Sequence, residues 1–138
     1  MPVVDASVAV KFVVEEEQSD LAAALLASAE PLIAPDWLLV EVGNALWKKA
    51  RTGVIAPTLA RSGLAAMREL FQEFHPSPAL LDSAYELAFR LDHWLYDCLY
   101  LALACQENVP VITADQEFRK AAARAGYGES VVLLGGKP

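Results

Sequence analysis

Two acidic residues each follow a short run of mostly branched apolar residues, a pattern typical of a buried strand that ends at the edge of a sheet. Asp5 follows Val3-Val4, and Asp115 follows Val111-Ile112-Thr113-Ala114. The carboxyl ends of parallel strands meet at one edge, where the connecting loops separate into a crevice that binds ligands. We therefore expect both carboxylates to lie in that crevice. The alternative for Asp5 is a simple helix cap, because Asp and Ser7 are both favoured at a helix start.

Two further acids lie on predicted helices. Asp97 falls in the first turn of the apolar segment Leu95–Ala104, where the helix dipole favours a negative charge. A capping role explains Asp97 equally well when this residue is considered alone. Glu41 lies between apolar neighbours on another helix, and Asn44 follows it on the same line of side chains. A lone glutamate at such a position is more often exposed or ion-paired than a ligand, so its interpretation depends on the other three acids.

Four carboxylates that converge at one sheet edge repel one another unless cations neutralise them. Hard oxygen ligands, without a suitable set of Cys and His, favour Mg²⁺ or Mn²⁺. Such a metal activates water for in-line attack on a phosphodiester and stabilises the negative charge that develops there. The acids therefore predict hydrolysis of a nucleic-acid backbone.

Strands alternate with helices along the chain, and several strands have no polar interruption. This pattern predicts an α/β fold with a mostly parallel sheet covered on both faces. No linker, repeat or change in composition divides the chain, so residues 1–138 are expected to form one domain. After the first strand, the predicted elements are helix Leu21–Ala29, strand Leu32–Ala34, helix Pro35–Arg51, helix Pro57–Phe74, helix Pro78–Leu91, helix Leu95–Ala104, strand Val111–Ala114, helix Phe118–Ala125, strand Val131–Leu134 and a tail, Gly135–Pro138. In helix Pro78–Leu91 we expect Leu81, Ala84, Tyr85 and Ala88 to form the buried face.

Composition limits the classes of function. The chain has 138 residues, of which 55% are hydrophobic, and a net charge of −7, so it can bury a sizeable core and is not disordered. The negative charge argues against a cationic coat for nucleic acid, but not against phosphate chemistry that uses metal ions. No apolar run approaches the roughly 20 residues that a membrane crossing needs, and no basic signal segment precedes Asp5. We expect a cytoplasmic protein without a membrane anchor.

The Cys and His residues are too few and too scattered for a zinc site. Cys98 and Cys105 are seven residues apart in one predicted helix, which is too far along the helix axis for a disulfide. We expect both to be small core residues. His75 and His93 stand alone in the sequence, and neither has a second His or Cys at ligand spacing.

Four segments together resemble the PIN-domain ribonucleases, and in particular the VapC-like toxins of bacterial and archaeal toxin–antitoxin pairs. These segments are Val3–Ser7, Glu41–Leu46, Tyr96–Ala104 and Thr113–Phe118, in this order across nearly the whole chain. The resemblance implies a three-layer α/β/α sandwich with a parallel sheet and a Mg²⁺-dependent endoribonuclease activity on RNA. It also implies a cognate antitoxin that blocks the site, and a homodimer.

The PIN-domain family has four acidic residues that bind metal and act in catalysis. The resemblance implies that these four are Asp5, Glu41, Asp97 and Asp115. Ser7 and Thr113 match positions whose hydroxyls support these acids, and Asn44 matches a polar neighbour of the helix glutamate. Gly43 departs from the pattern, because a larger apolar residue is expected there. It lowers helix propensity but occupies no ligand position.

Other classes of protein stay open. A phosphoacceptor or phosphatase domain also places an Asp after its first strand, but a receiver needs a second acid pair and a late Lys. A haloacid-type phosphatase needs Asp at position 7, where this chain has Ser7. A housekeeping PIN nuclease without an antitoxin and a non-catalytic binding module are the remaining alternatives. Six basic residues could border the site or simply be solvated: Lys11, Lys48, Lys49, Arg51, Arg119 and Lys120.

Overall fold

The structure is a computed structural model that describes residues 1–136. Its elements are β1 (Val3–Val4), α1 (Ala6–Ala9), a 3₁₀ turn (Val10–Phe12), α2 (Ser19–Ala27), β2 (Ile33–Pro35), α3 (Trp37–Arg51), α4 (Pro57–Leu70), β3 (Glu73–His75), α5 (Ser77–Leu91), α6 (Leu95–Glu107), β4 (Val111–Thr113), α7 (Gln116–Arg124) and β5 (Val131–Leu133). Lys137 and Pro138, the end of the expected tail, lie outside the described residues.

The first strand lies at the centre of the sheet. The order is β3-β2-β1-β4-β5 and all four pairings are parallel, which confirms the predicted parallel sheet. β1 pairs with β4 through Val4 and Ile112, and the backbone N–H of Asp5 donates to the carbonyl of Ile112 at 3.2 Å. Asp5 therefore leaves the sheet beside Thr113. The chain turns outward in both directions from β1, and such a switch point opens a crevice at the carboxyl ends of the strands.

Helices cover both faces of the sheet, giving the expected three-layer α/β/α sandwich. α6 packs directly on β1, β2 and β4, and α5 packs on α6. Every α6 residue from Cys98 to Ala104 is buried, as expected for a helix that is apolar on most sides. A helix so enclosed cannot shift without disturbing the core, so its first turn holds Asp97 at a fixed place. Within residues 1–136, no helix combines the length and the apolarity needed to cross a bilayer.

The structure corrects the sequence prediction around the fourth helix. The predicted helix Pro57–Phe74 ends at Leu70, and residues Glu73–His75 form β3, an edge strand that pairs with β2. This strand was not predicted, because its outer residues are a glutamate and a histidine and Pro76 follows it directly. An edge strand has one free side and tolerates such polar residues.

Two predictions of buried residues were wrong. Leu81 and Tyr85 of α5 are 43% and 53% exposed, whereas Ala84 of the expected face is buried, together with Leu80, Leu87 and Leu91. Two neighbouring apolar stripes run along this helix, so spacing alone could not identify the one that faces α6. Cys98 is buried as expected, but Cys105 is exposed, because the last turn of α6 extends beyond the core.

Candidate active site

Asp5 is a buried carboxylate at the centre of the switch point. It is 3% exposed and adopts an extended conformation between β1 and α1. Its Oδ1 accepts a 2.6 Å hydrogen bond from the Ser7 hydroxyl and a 3.3 Å bond from the backbone N–H of Val8. Asp5 thus caps α1 and also faces the site, so the two roles are compatible. Burial is the main cause that raises the pKa of Asp5 to about 7. The charge of Asp97 also raises this pKa, whereas the hydrogen bonds from Ser7 and Thr113 lower it.

Two hydroxyl groups join the ends of β1 and β4. Ser7 Oγ lies 3.4 Å from Thr113 Oγ1 and accepts a 2.9 Å hydrogen bond from the backbone N–H of Ala114. Thr113 Oγ1 accepts a 3.0 Å bond from the backbone N–H of Asp115. Thr113 is fully buried. The pair therefore fixes the two strand acids relative to each other, which agrees with the supporting role expected for Ser7 and Thr113.

Asp115 caps α7 as Asp5 caps α1. Its Oδ1 accepts hydrogen bonds from the backbone N–H groups of Glu117 at 2.9 Å and of Phe118 at 3.3 Å. An Asp side chain in this position satisfies N–H groups that the helix itself leaves without partners. The cap engages Oδ1, and the negative charge of Asp115 raises the pKa of Asp97. Asp115 is therefore both a structural cap and a neighbour of Asp97.

Asp97 lies in the first turn of α6 beside an imidazole. Its Oδ2 is 2.6 Å from His93 Nε2, and the two residues are four apart. Burial raises the pKa of Asp97, and the hydrogen bond and charge of His93 counteract this. The helix cap is Trp94, which makes no side-chain capping bond, so the simple capping explanation of Asp97 was wrong. The carboxylate is placed by His93.

Glu41 reaches the site from α3 and meets a buried tyrosine. Tyr100 of α6 is fully buried, and its hydroxyl donates a 2.8 Å hydrogen bond to Glu41 Oε1. Burial, together with the charges of Glu41, Asp5 and Asp97, holds the pKa of Tyr100 well above its usual value, so the hydroxyl stays a donor. Asn44 is exposed, and within residues 1–136 its side chain makes no hydrogen bond to an acid. Its expected supporting role stays a prediction.

The four acids lie within electrostatic reach of one another through Asp97. The charge of Asp97 raises the pKa of both Asp5 and Glu41, and the charge of Asp115 raises that of Asp97. For Glu41 and Asp97, as for Asp5, burial is the largest cause of the raised pKa. One ligand atom from each of His93, Asp97 and Asp115 lies within 4.8 Å of the others. Of the four predicted acids, this close group contains Asp97 and Asp115, and Asp5 and Glu41 are related to it through the charge of Asp97.

The donor set fits a divalent cation. Among the residues that the structure describes, no Lys or Arg forms an ion pair with any of the four acids. Lys11 and Lys49 pair instead with Glu16, at 3.2 and 3.0 Å, and Arg51 lies over the ring of Trp47. Asp5 is buried and the other three acids are half-buried, and carboxylates without a paired Lys or Arg are the hard oxygen ligands that Mg²⁺ and Mn²⁺ prefer.

A groove of exposed aromatic residues borders the cluster. Its volume is about 580 Å³, and His93 forms one wall. Phe89 and Trp94 are 74% and 73% exposed, and Tyr85 is 53% exposed. Exposed aromatic residues in such a group are typical of binding surfaces. We refer to Tyr85, Phe89 and Trp94 as the aromatic patch.

The sequence profile of the PIN domain matches residues 3–124, a range that contains four of the five strands and all four acids. The chain belongs to the PIN-domain family. This PIN domain is 33% identical over 117 residues to Ribonuclease VapC3 of Pyrobaculum aerophilum, a match that covers 83% of this chain and 89% of the relative. It is 35% identical over 89 residues to Ribonuclease VapC1 of Mycobacterium tuberculosis, covering 64% and 65% of the two chains. These matches confirm the resemblance to VapC-like PIN domains.

A solved structure has the same fold as this PIN domain. The crystal structure of PAE2754 from Pyrobaculum aerophilum superposes with a TM-score of 0.73 at 23% identity, covering 96% of this chain and 83% of that one. At this identity the likeness concerns the fold. It agrees with the five-stranded parallel sheet and the three layers described above.

Two residues of the site were not predicted from the sequence. His93 was considered only as a zinc ligand, although it stands four residues before Asp97, in the turn that leads into α6. Tyr100 was taken for an ordinary apolar residue of α6, although it stands three residues after Asp97 on the same helix face. For both residues, the spacing from Asp97 in the sequence was the signal that could have identified them as partners of the site.

Proposed function

We propose that this protein is a metal-dependent endoribonuclease, the toxin of a toxin–antitoxin pair, which hydrolyses phosphodiester bonds of RNA. The observation that supports the proposal is a set of acids, Asp5, Glu41 and Asp115, linked to Asp97 by charge, none of which is paired with a Lys or Arg in the described residues. The matched relatives, both named ribonucleases, support the same activity. A housekeeping nuclease without an antitoxin has the same site and differs only in its partner.

Asp5, Glu41, Asp97 and Asp115 are the proposed ligands of Mg²⁺, with Mn²⁺ as an alternative. A divalent ion bound there supplies an activated water and stabilises the negative charge of a phosphodiester under attack. The remaining residues position the acids. Ser7 and Thr113 hold the two strand acids, while Tyr100 holds Glu41 through one of its two carboxylate oxygens. Asn44 is proposed as a supporting neighbour of Glu41.

Cleavage of RNA with the Asp97→Asn variant tests the activity. Asn keeps the volume of the side chain but removes a negative ligand, so we expect the rate to fall by about two orders of magnitude or more. Asp82→Asn is the matched control, because Asp82 is an exposed acid of α5 outside the site. Full activity of Asp97→Asn in the presence of Mg²⁺ contradicts the proposed ligand set.

The proposed partners are an RNA substrate, a cognate antitoxin and a second copy of the chain, all in the cytoplasm. The aromatic patch is the surface that best suits a homodimer, because its three rings are exposed beside one another. Sedimentation of the wild-type protein and of Phe89→Glu tests this assignment. We expect a dimer for the wild type and a monomer for the variant, and a wild-type monomer contradicts it.

A further inference from the structure

The imidazole of His93 is held in place from several directions. His93 lies in the short turn between α5 and α6, after Asp92 with its left-handed φ of 49°, and its backbone N–H donates to the carbonyl of Ala88 at 3.2 Å. Its ring stacks on Phe118 of α7, with a centroid distance of 5.5 Å and an interplanar angle of 11°. Only 9% of its side chain is exposed. A ring held in this way has little freedom to rotate.

This fixed ring contacts one oxygen of Asp97. His93 Nε2 lies 2.6 Å from Asp97 Oδ2, a distance typical of a short charge-assisted hydrogen bond. Since the ionised carboxylate can only accept, Nε2 carries the hydrogen. Oδ2 therefore accepts one hydrogen bond, whereas Oδ1 makes none among the described residues and is the freer oxygen for another ligand. A single hydrogen bond to one oxygen also stops the carboxylate from turning about its terminal bond, which is otherwise a soft rotation.

We propose that His93 is a positioning residue, which orients the Asp97 carboxylate toward a divalent cation without binding the cation itself. This inference rests on the proposed function, because it concerns the same metal site. The imidazole links Asp97 on α6 to Phe118 on α7, and Asp115 is the N-cap residue of α7. Through that link, the starts of two helices keep their acids at a constant separation. Partner groups of this kind, next to metal ligands, commonly change metal affinity 10- to 100-fold when they are removed.

His75 provides a contrast within the same chain. Its side chain is 15% exposed, and its Nε2 lies 3.6 Å from both Glu73 and Glu107. These contacts are longer than a hydrogen bond, and they lie at the edge strand β3 rather than at the acid cluster. His75 is therefore a matched control for the loss of a partly buried histidine beside carboxylates.

The experiment measures Mn²⁺ binding by calorimetry without RNA, in the wild type and in four variants. His93→Phe keeps a ring against Phe118 but removes the donor, and we expect about 10- to 100-fold weaker binding. His93→Gln restores a donor, and we expect affinity within about 3-fold of the wild type, since the hydrogen bond is what matters. His75→Phe should bind as the wild type does. Asp97→Asn, which removes the proposed ligand itself, should bind least.

The outcomes separate this inference from the proposed function. If Asp97→Asn loses Mn²⁺ but His93→Phe retains wild-type affinity, the positioning role is wrong while the metal site stands. If the wild type binds no Mn²⁺, both are wrong. If His93→Phe fails to fold, ¹⁵N NMR of the wild-type histidines tests the positioning role instead. We expect Nε2 of His93 to keep its hydrogen at saturating Mg²⁺. Loss of that hydrogen, or nitrogen coupling to bound Mn²⁺ in electron spin resonance, would make His93 a ligand and overturn the proposal.

Discussion

Tyr100 and Glu41 are 59 residues apart, yet the tyrosine hydroxyl donates a 2.8 Å hydrogen bond to Glu41 Oε1. The bond joins α6, the helix that lies on the sheet, to α3. Because Tyr100 is fully buried, its hydroxyl has a fixed position, and Glu41 takes its orientation from it. A long and mobile glutamate side chain is thereby kept in a single arrangement beside Asp97.

Replacing Tyr100 by Phe should weaken the site without unfolding the protein. The variant removes one hydrogen bond, for which we expect a loss of about 1 kcal/mol in the free energy of unfolding. Glu41 loses the bond that lowers its pKa, so that pKa should rise further. We expect about 10-fold slower RNA cleavage. Urea denaturation and a cleavage assay measure these effects, and Tyr85→Phe, which removes an exposed hydroxyl, is the control. Equal rates in both variants contradict the role of Tyr100.

The stability of the metal-free protein should fall as the pH rises from about 4 to about 7. The pKa of Asp5 is about 7 in the folded protein and 3.8 ordinarily, so in this range the folded state holds a proton that the unfolded state has lost. Raising the pH removes that proton and leaves a buried charge. Thermal melts at several pH values in EDTA measure the trend. Asp5→Asn has no such proton and should show a flatter dependence. If its curve has the same slope as that of the wild type, Asp5 is not the cause.

Mg²⁺ should stabilise the protein more at pH 8 than at pH 5. A cation binds the ionised carboxylates of the folded state, whereas protons compete for Asp5 at the lower pH. Melting temperatures with and without millimolar Mg²⁺ at both pH values give the comparison. An equal shift at the two pH values, or none at pH 8, contradicts cation binding at Asp5.

Gly43→Ala should stabilise the fold by about 0.5–1 kcal/mol, because Ala is a better helix former than Gly. A methyl group at this position of α3 would meet Leu64 at 3.5 Å, an ordinary contact. Gly63→Ala on α4 is the matched comparison, since its methyl group would lie only 3.1 Å from Val13. We expect Gly63→Ala to gain less or to lose stability. Urea midpoints rank the two, and the reverse order contradicts this account.

An antitoxin should inhibit this protein by placing an Arg or Lys among the four acids. A guanidinium binds carboxylates bidentately and keeps its charge, so it can neutralise the acids in place of a metal ion and exclude that ion. Apolar contact with the exposed face of α3, where Val40 is 55% exposed, should supply the remaining affinity, whereas Val10 and Val14 of the other expected anchor segment are buried. The measurement is a binding titration with the protein encoded next to this gene, with and without excess Mg²⁺. Affinity that depends neither on Mg²⁺ nor on Asp97→Asn contradicts this mechanism.

The sequence predicts those parts of the fold that depend on local patterns. Asp5 and Asp115 were placed correctly because a branched apolar run ending in an acid is a local signal. β3 and the buried face of α5 were missed because they depend on what packs beside them, β2 for Glu73–His75 and α6 for α5. Within the site, the four acids were predicted by type and position, and their role as ligands stays a prediction. The partners His93 and Tyr100 were missed because imidazole and phenol groups have no role until their neighbours in space are known.

The pairing of β1 with β4 also affects how the protein is made. Ser7, two residues after Asp5, lies beside Thr113, which is synthesised 106 positions later. β1 cannot complete its central place in the sheet until β4 has been made, and long-range pairing of this kind forms late in folding. A nascent chain on the ribosome therefore has its four acids far apart until β4 has been made, and the proposed active site forms only after that.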